Sequence, residues 1–87
     1  MQFTVDLSRV RTKTGLHRVL IKTLPFPAHY GKNLDALYDV LTEPHDEWEI
    51  RFVGTEQART RLGDYFDSFW QTLSDAKDDG AAIRCNK

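Results

Sequence analysis

The sequence predicts a small α/β domain, a three-stranded parallel sheet packed with helices in the order β-α-α-β-α-α-β. Three observations predict it. The stretches "QFTVDL", "WEIRFV" and "AAIRC" read as short strands, the first two with clear alternation of apolar and polar residues. The segments between them carry apolar residues at three- and four-residue spacing, as amphipathic helices do. Strands separated by helical crossovers run parallel with right-handed connections as a rule, which predicts a parallel sheet and leaves the order of its three strands open. The chain of 87 residues, 40% hydrophobic and 11% aromatic, has packing material for one compact core, so a single domain over residues 1–87 is expected.

Each element has its own signals. In the first strand Phe3, Val5 and Leu7 share one face. Thr14 is the expected N-cap of the first helix, where Leu16, Val19, Leu20 and Leu24 recur until Pro25 and Pro27 forbid continuation. "PFPAHYGK" is then a loop, because two prolines and a glycine deny it regular hydrogen bonding. Asn33 caps a short second helix with Leu34, Leu37 and Leu41 on one side and Val40 flanking them, ended by Pro44. Trp48, Ile50 and Phe52 form one face of the second strand. Thr55 is expected to cap a brief helix through Arg61, followed by a longer one marked by Leu62, Phe66, Phe69, Leu73 and Ala76 and closed by Gly80. His17 falls within the first helix and reads as a surface or half-buried residue.

Charge is more informative than its total. The formal net charge of −1 hides a segregation: residues 1–24 carry five bases against one acid, residues 29–49 six acids against Lys32 alone, and residues 64–80 five aspartates against Lys77. Within the first acidic block, Asp35 and Asp39 lie one helical turn apart and project from one face. Such a pair costs only about 0.2–0.5 kcal/mol, so charge alone is compatible with a merely solvated helix face. Its neighbours favour a binding role. Tyr38 is placed on the same side, and His29, Tyr30 and Gly31 immediately precede the helix. Carboxylates that accept hydrogen bonds from Arg and Lys, beside rigid rings that exclude water, suit docking into a basic cleft.

"YGKNLDALYDVLT" resembles the second-helix signature of the barstar family, intracellular inhibitors of secreted ribonucleases. The matching residues are Tyr30, Gly31, Asn33, Leu34, Asp35, Ala36, Leu37, Asp39, Leu41 and Thr42, and "DAKDDG" at 75–80 is similar to the family's last helix ending. The resemblance implies a barstar-like fold and a protein partner, a secreted, basic, barnase-like ribonuclease, with carboxylates standing in for RNA phosphates. It makes Asp39 the central mimic, with Asp35 pairing with a nearby cation or backbone donor and Asp75 adding a peripheral charge. It assigns His29 and Tyr30 to covering the enzyme's catalytic histidine, Gly31 and Asn33 to shaping the helix entry, and Tyr38 and Thr42 to the rim. Leu34 and Glu43 complete the expected epitope. His29, Tyr38 and Asp75 depart from the family pattern where a partner would be recognised, so the alternative is an immunity protein against a different, non-barnase toxin.

Other classes are disfavoured by the residues themselves. Two carboxylates on one exposed helix face lack the cleft that would separate their pKa values, so no catalytic residue is expected. His17, His29 and His45 have no ligand spacing, and neither metal nor cofactor is expected. The basic residues Arg9, Arg11, Lys13, Arg18 and Lys22 accompany no nucleic-acid reading motif, and direct nucleic-acid binding is not expected. Cys85 is the single cysteine and reads as a small packed residue; with no apolar run long enough to span a membrane, the reducing cytoplasm is the expected compartment. The free protein is expected to be a monomer.

Overall fold

The computed structural model describes residues 1–86. Strand β1 (Gln2–Asp6) leads through helices α1 (Lys13–Thr23) and α2 (Leu34–Thr42) to β2 (Trp48–Val53). Helices α3 (Thr55–Leu62) and α4 (Asp64–Asp78) then lead to β3 (Ile83–Asn86). The sheet is parallel throughout, in the order β1-β2-β3, with Phe3 opposite Ile50, Val5 opposite Phe52, and Trp48 opposite Ile83.

This order decides where the core can lie. Two successive right-handed crossovers in one direction put every helix on the same face of the sheet. The strands show the consequence: Val5, Trp48, Ile50, Phe52 and Ile83 are buried, while Gln2, Thr4, Arg51, Arg84 and Asn86 alternate with them on an exposed polar face. Parallel sheets are mostly covered on both sides. Here the open side is maintained by polar pairing, with Gln2 Nε2 donating to Glu49 Oε1 at 3.1 Å and Arg84 ion-paired to Glu49 Oε2 at 3.5 Å.

The helix boundaries follow local chemistry. Thr12, not Thr14, caps α1: Thr12 is extended and its hydroxyl accepts from Gly15 N–H at 3.0 Å, so the helix begins at Lys13. Leu24 before Pro25 and Glu43 before Pro44 are both extended, because proline's ring clashes with a helical predecessor; both helices stop there. Asn33 caps α2 as expected, its side-chain Oδ1 accepting from Ala36 N–H at 2.8 Å. Gly54, rather than Thr55, precedes α3, at φ +74°, where a Cβ would sit 2.4 Å from the Ser8 backbone nitrogen. The end of α4 is a Schellman motif, with Gly80 N–H donating to Lys77 and Ala81 N–H to Ala76.

The core is one cluster. Phe66, Phe69, Leu73 and Ala76 of α4 pack beneath β2, with the Phe52 ring edge-on to Phe69 at 6.0 Å. Leu37, Val40 and Leu41 fix α2 beside α4. His17 corrects the expectation of a surface or half-buried residue: it is 1% exposed, with Nδ1 2.6 Å from the Tyr30 hydroxyl and Nε2 2.7 Å from the Tyr65 hydroxyl. Both ring nitrogens are thus satisfied, which makes its burial affordable.

Candidate functional site

Helix α2 buries its leucines against α4 and thereby turns Asp35, Asp39 and Glu43, four residues apart, to solvent. Asn33 at the cap and Gly31 before it are exposed as well, and Gly31 passes so close to α2 that an added Cβ would lie 3.2 Å from that of Ala36. Neither the two carboxylates of α2 nor Glu43 at its C-cap is ion-paired to a cation of the chain among the described residues; the salt bridge there joins Arg84 to Glu49 on the far face of the sheet. Asp35 in the first turn is favoured by the helix dipole, whereas Asp39 is past its reach and Glu43 sits at the negative end, with no base in the last turn.

Tyr38 knits this face to α4. It is half-buried, and its hydroxyl donates to the Asp79 carboxylate. That hydrogen bond, burial, and the fields of Asp79, Asp75 and Asp39 hold its phenol above the usual range. The three aspartates therefore share one electronegative neighbourhood contributed by two helices. Asp75 itself is exposed and accepts from Gln71 Nε2 at 2.9 Å. Asp79 was missed by the sequence reading. The aspartate-rich block was visible, but not which of its members faces α2. Among the described residues no three His, Cys, Asp or Glu side chains are placed to hold a metal ion.

The loop before α2 divides its residues between core and surface. His29 is exposed, but Tyr30 is only 6% exposed, its ring against Phe26 at 4.8 Å and its hydroxyl on His17. Burial pushes its phenol strongly up. Tyr30 is thus a pillar of the loop more than a free ring, and its exposed edge helps line a depression of about 150 Å³ with His29, Gly31, Asp39, Val40 and Glu43. Leu34 is half-buried against the core, and Thr42 is half-buried with its hydroxyl donating to the Tyr38 carbonyl at 2.9 Å. His29, Gly31, Asn33, Asp35, Asp39, Glu43 and Asp75 are each exposed, and Tyr38 is half-buried.

The three-stranded parallel sheet and four helices in the order β-α-α-β-α-α-β are those of the barstar-like fold. Comparison with known families agrees: the model of the Barstar family, described as barnase inhibitor, matches residues 1–86. The chain belongs to the barstar family. It is also similar to the "Putative ribonuclease inhibitor YrdF" of Bacillus subtilis (strain 168), 37% identical over 65 residues that make up 74% of this chain and 71% of that protein.

Proposed function

We propose that the protein is a non-catalytic inhibitor of a secreted, basic, barnase-like ribonuclease, held in the cytoplasm as a monomer until it meets the enzyme. The loop at 29–33 and the outer face of α2 enter the active site, and Asp39 takes the place of an RNA phosphate among the enzyme's Arg and Lys side chains. One observation carries this reading beyond family membership: Asp35, Asp39 and Glu43 are exposed together, with none of the chain's own cations paired to them among the described residues. Such a face has its hydrogen-bonding capacity in reserve for a partner.

The physics suits the task. Opposite fields speed encounter well beyond an unsteered rate, which matters to a cell exposed to its own nuclease. Burying Asp39 against a neutral surface would leave a desolvated, unpaired charge, so the same residue disfavours wrong partners. No turnover is needed, since occupancy keeps RNA out.

Isothermal calorimetry with a purified barnase-like ribonuclease tests the reading. Wild type is expected to bind and to inhibit RNA cleavage, and Asp39→Ala to weaken binding by about 2–5 kcal/mol, the cost of truncating one partner of a buried charge pair. Equal affinity of the two proteins would exclude Asp39 as the phosphate mimic.

A further inference from the structure

Loop 29–33 has a second side. Gly31 lines the acidic depression, whereas the next residue, Lys32, lines a separate cavity of about 210 Å³ with Thr14, Arg18 and Ile21 of α1. Lys32 reaches it from φ +59°, the one non-glycine residue with positive φ among those described. Side chains other than Asn and Asp seldom adopt this conformation, and residues held in it cluster at binding sites. Neither Arg18 nor Lys32 is ion-paired among the described residues, and Ile21, which lines the same cavity, is 37% exposed, an unusual position for a large aliphatic residue here. The notch therefore offers two cations and an apolar wall, directly beside the acidic face.

We infer that the partner-binding surface is bipolar, and that the Arg18–Lys32 notch receives a carboxylate on the rim of the same protein partner that Asp39 engages. This rests on the proposed function above. The footprint favours it: a standard interface takes roughly 20–30 residues a side, more than the acidic face supplies, and the notch adjoins that face through consecutive residues. The charge favours it as well. A lysine facing a cation-lined cleft with nothing to pair it would slow association and weaken binding, so an unpaired Lys32 at this place works against the acidic face. A carboxylate on the partner turns the same residue into a determinant of which ribonuclease is accepted.

The sign of one substitution decides. Lys32→Gln and Arg18→Gln, checked for unchanged thermal unfolding, are titrated into the barnase-like ribonuclease beside wild type, Asp39→Ala and Arg51→Gln. Arg51, on the open face of the sheet, controls for the loss of one positive charge anywhere. Each notch variant is expected to bind about three- to fivefold more weakly, as a rim ion pair would, with Arg51→Gln within about twofold of wild type. Unchanged or tighter binding by Lys32→Gln, while Asp39→Ala still loses affinity, would overturn the bipolar surface and leave the proposed function standing. Failure of wild type to bind would sink both. Retention of a single-stranded RNA oligomer by wild type, lost in Arg18→Gln, would reassign the notch to nucleic acid and likewise overturn the inference.

Discussion

On the open face of the sheet Glu49 is held between Gln2 and Arg84, each drawn from a neighbouring strand. On α2, Asp35 and Asp39 stand one turn apart in solvent with no cation of the chain paired to them among the described residues, and Glu43 follows at the helix end that disfavours a negative charge. Both surfaces are exposed and polar. One pairs Glu49 across the strands, with Arg51 beside it carrying no ion pair among the described residues; the other leaves three acids unmatched at a small cost in stability. Natural proteins accept such local costs where function needs them. Under the proposed function, the uncancelled charge of α2 is what a basic partner engages.

The core device beneath the site bounds the comparison and carries the largest effect. His17→Leu leaves the buried Tyr30 hydroxyl without its partner and is expected to cost about 1–3 kcal/mol in urea unfolding, with the loop beside the acidic face loosened. Burial holds the His17 imidazole below its ordinary value of 6.5. The unfolded chain therefore takes up a proton near pH 6.5 that the folded chain refuses, and this contribution to stability is present above that pH and is lost as pH falls toward the folded value. His17→Gln should flatten that part of the stability–pH curve; an unaltered curve would remove His17 as its source.

Glu49→Gln breaks the paired face and is expected to destabilise by about 0.2–1 kcal/mol, an effect that high salt should shrink. Tyr38→Phe removes the hydrogen bond to Asp79 and should lower stability slightly, while freeing Asp79 to strengthen the negative potential around Asp39. Faster, more salt-sensitive association with a basic partner is the expected kinetic result, measured by stopped-flow mixing.

Much of this was legible beforehand. Element order followed from alternation in "QFTVDL" and "WEIRFV" and from Asn33, Pro25, Pro44 and Gly80, all of which act on the backbone within a few residues. Thr12 displaced Thr14 because two threonines compete for one cap and only the geometry tells which is extended. What escaped the sequence was set by long-range meetings. His17 is buried because Tyr30 and Tyr65, 13 and 48 positions away, satisfy both nitrogens, and Asp79 joins the site because Tyr38 reaches it from 41 positions away. No local pattern encodes such pairs. Strand order was equally silent, since alternation gives a strand its two faces but not its neighbours.

The central claim is that α2 keeps its carboxylates unmatched for a partner at the expense of the fold, and Asp39→Asn tests it with two readouts on one protein. Asparagine is nearly isosteric and has similar helix propensity, so the change is essentially one of charge. Denaturant unfolding should show stability raised by about 0.2–0.5 kcal/mol as repulsion from Asp35 is relieved, while calorimetry shows affinity for a barnase-like ribonuclease falling by about 2–5 kcal/mol. A variant that binds as tightly as wild type, or that loses stability with its charge, would contradict the account.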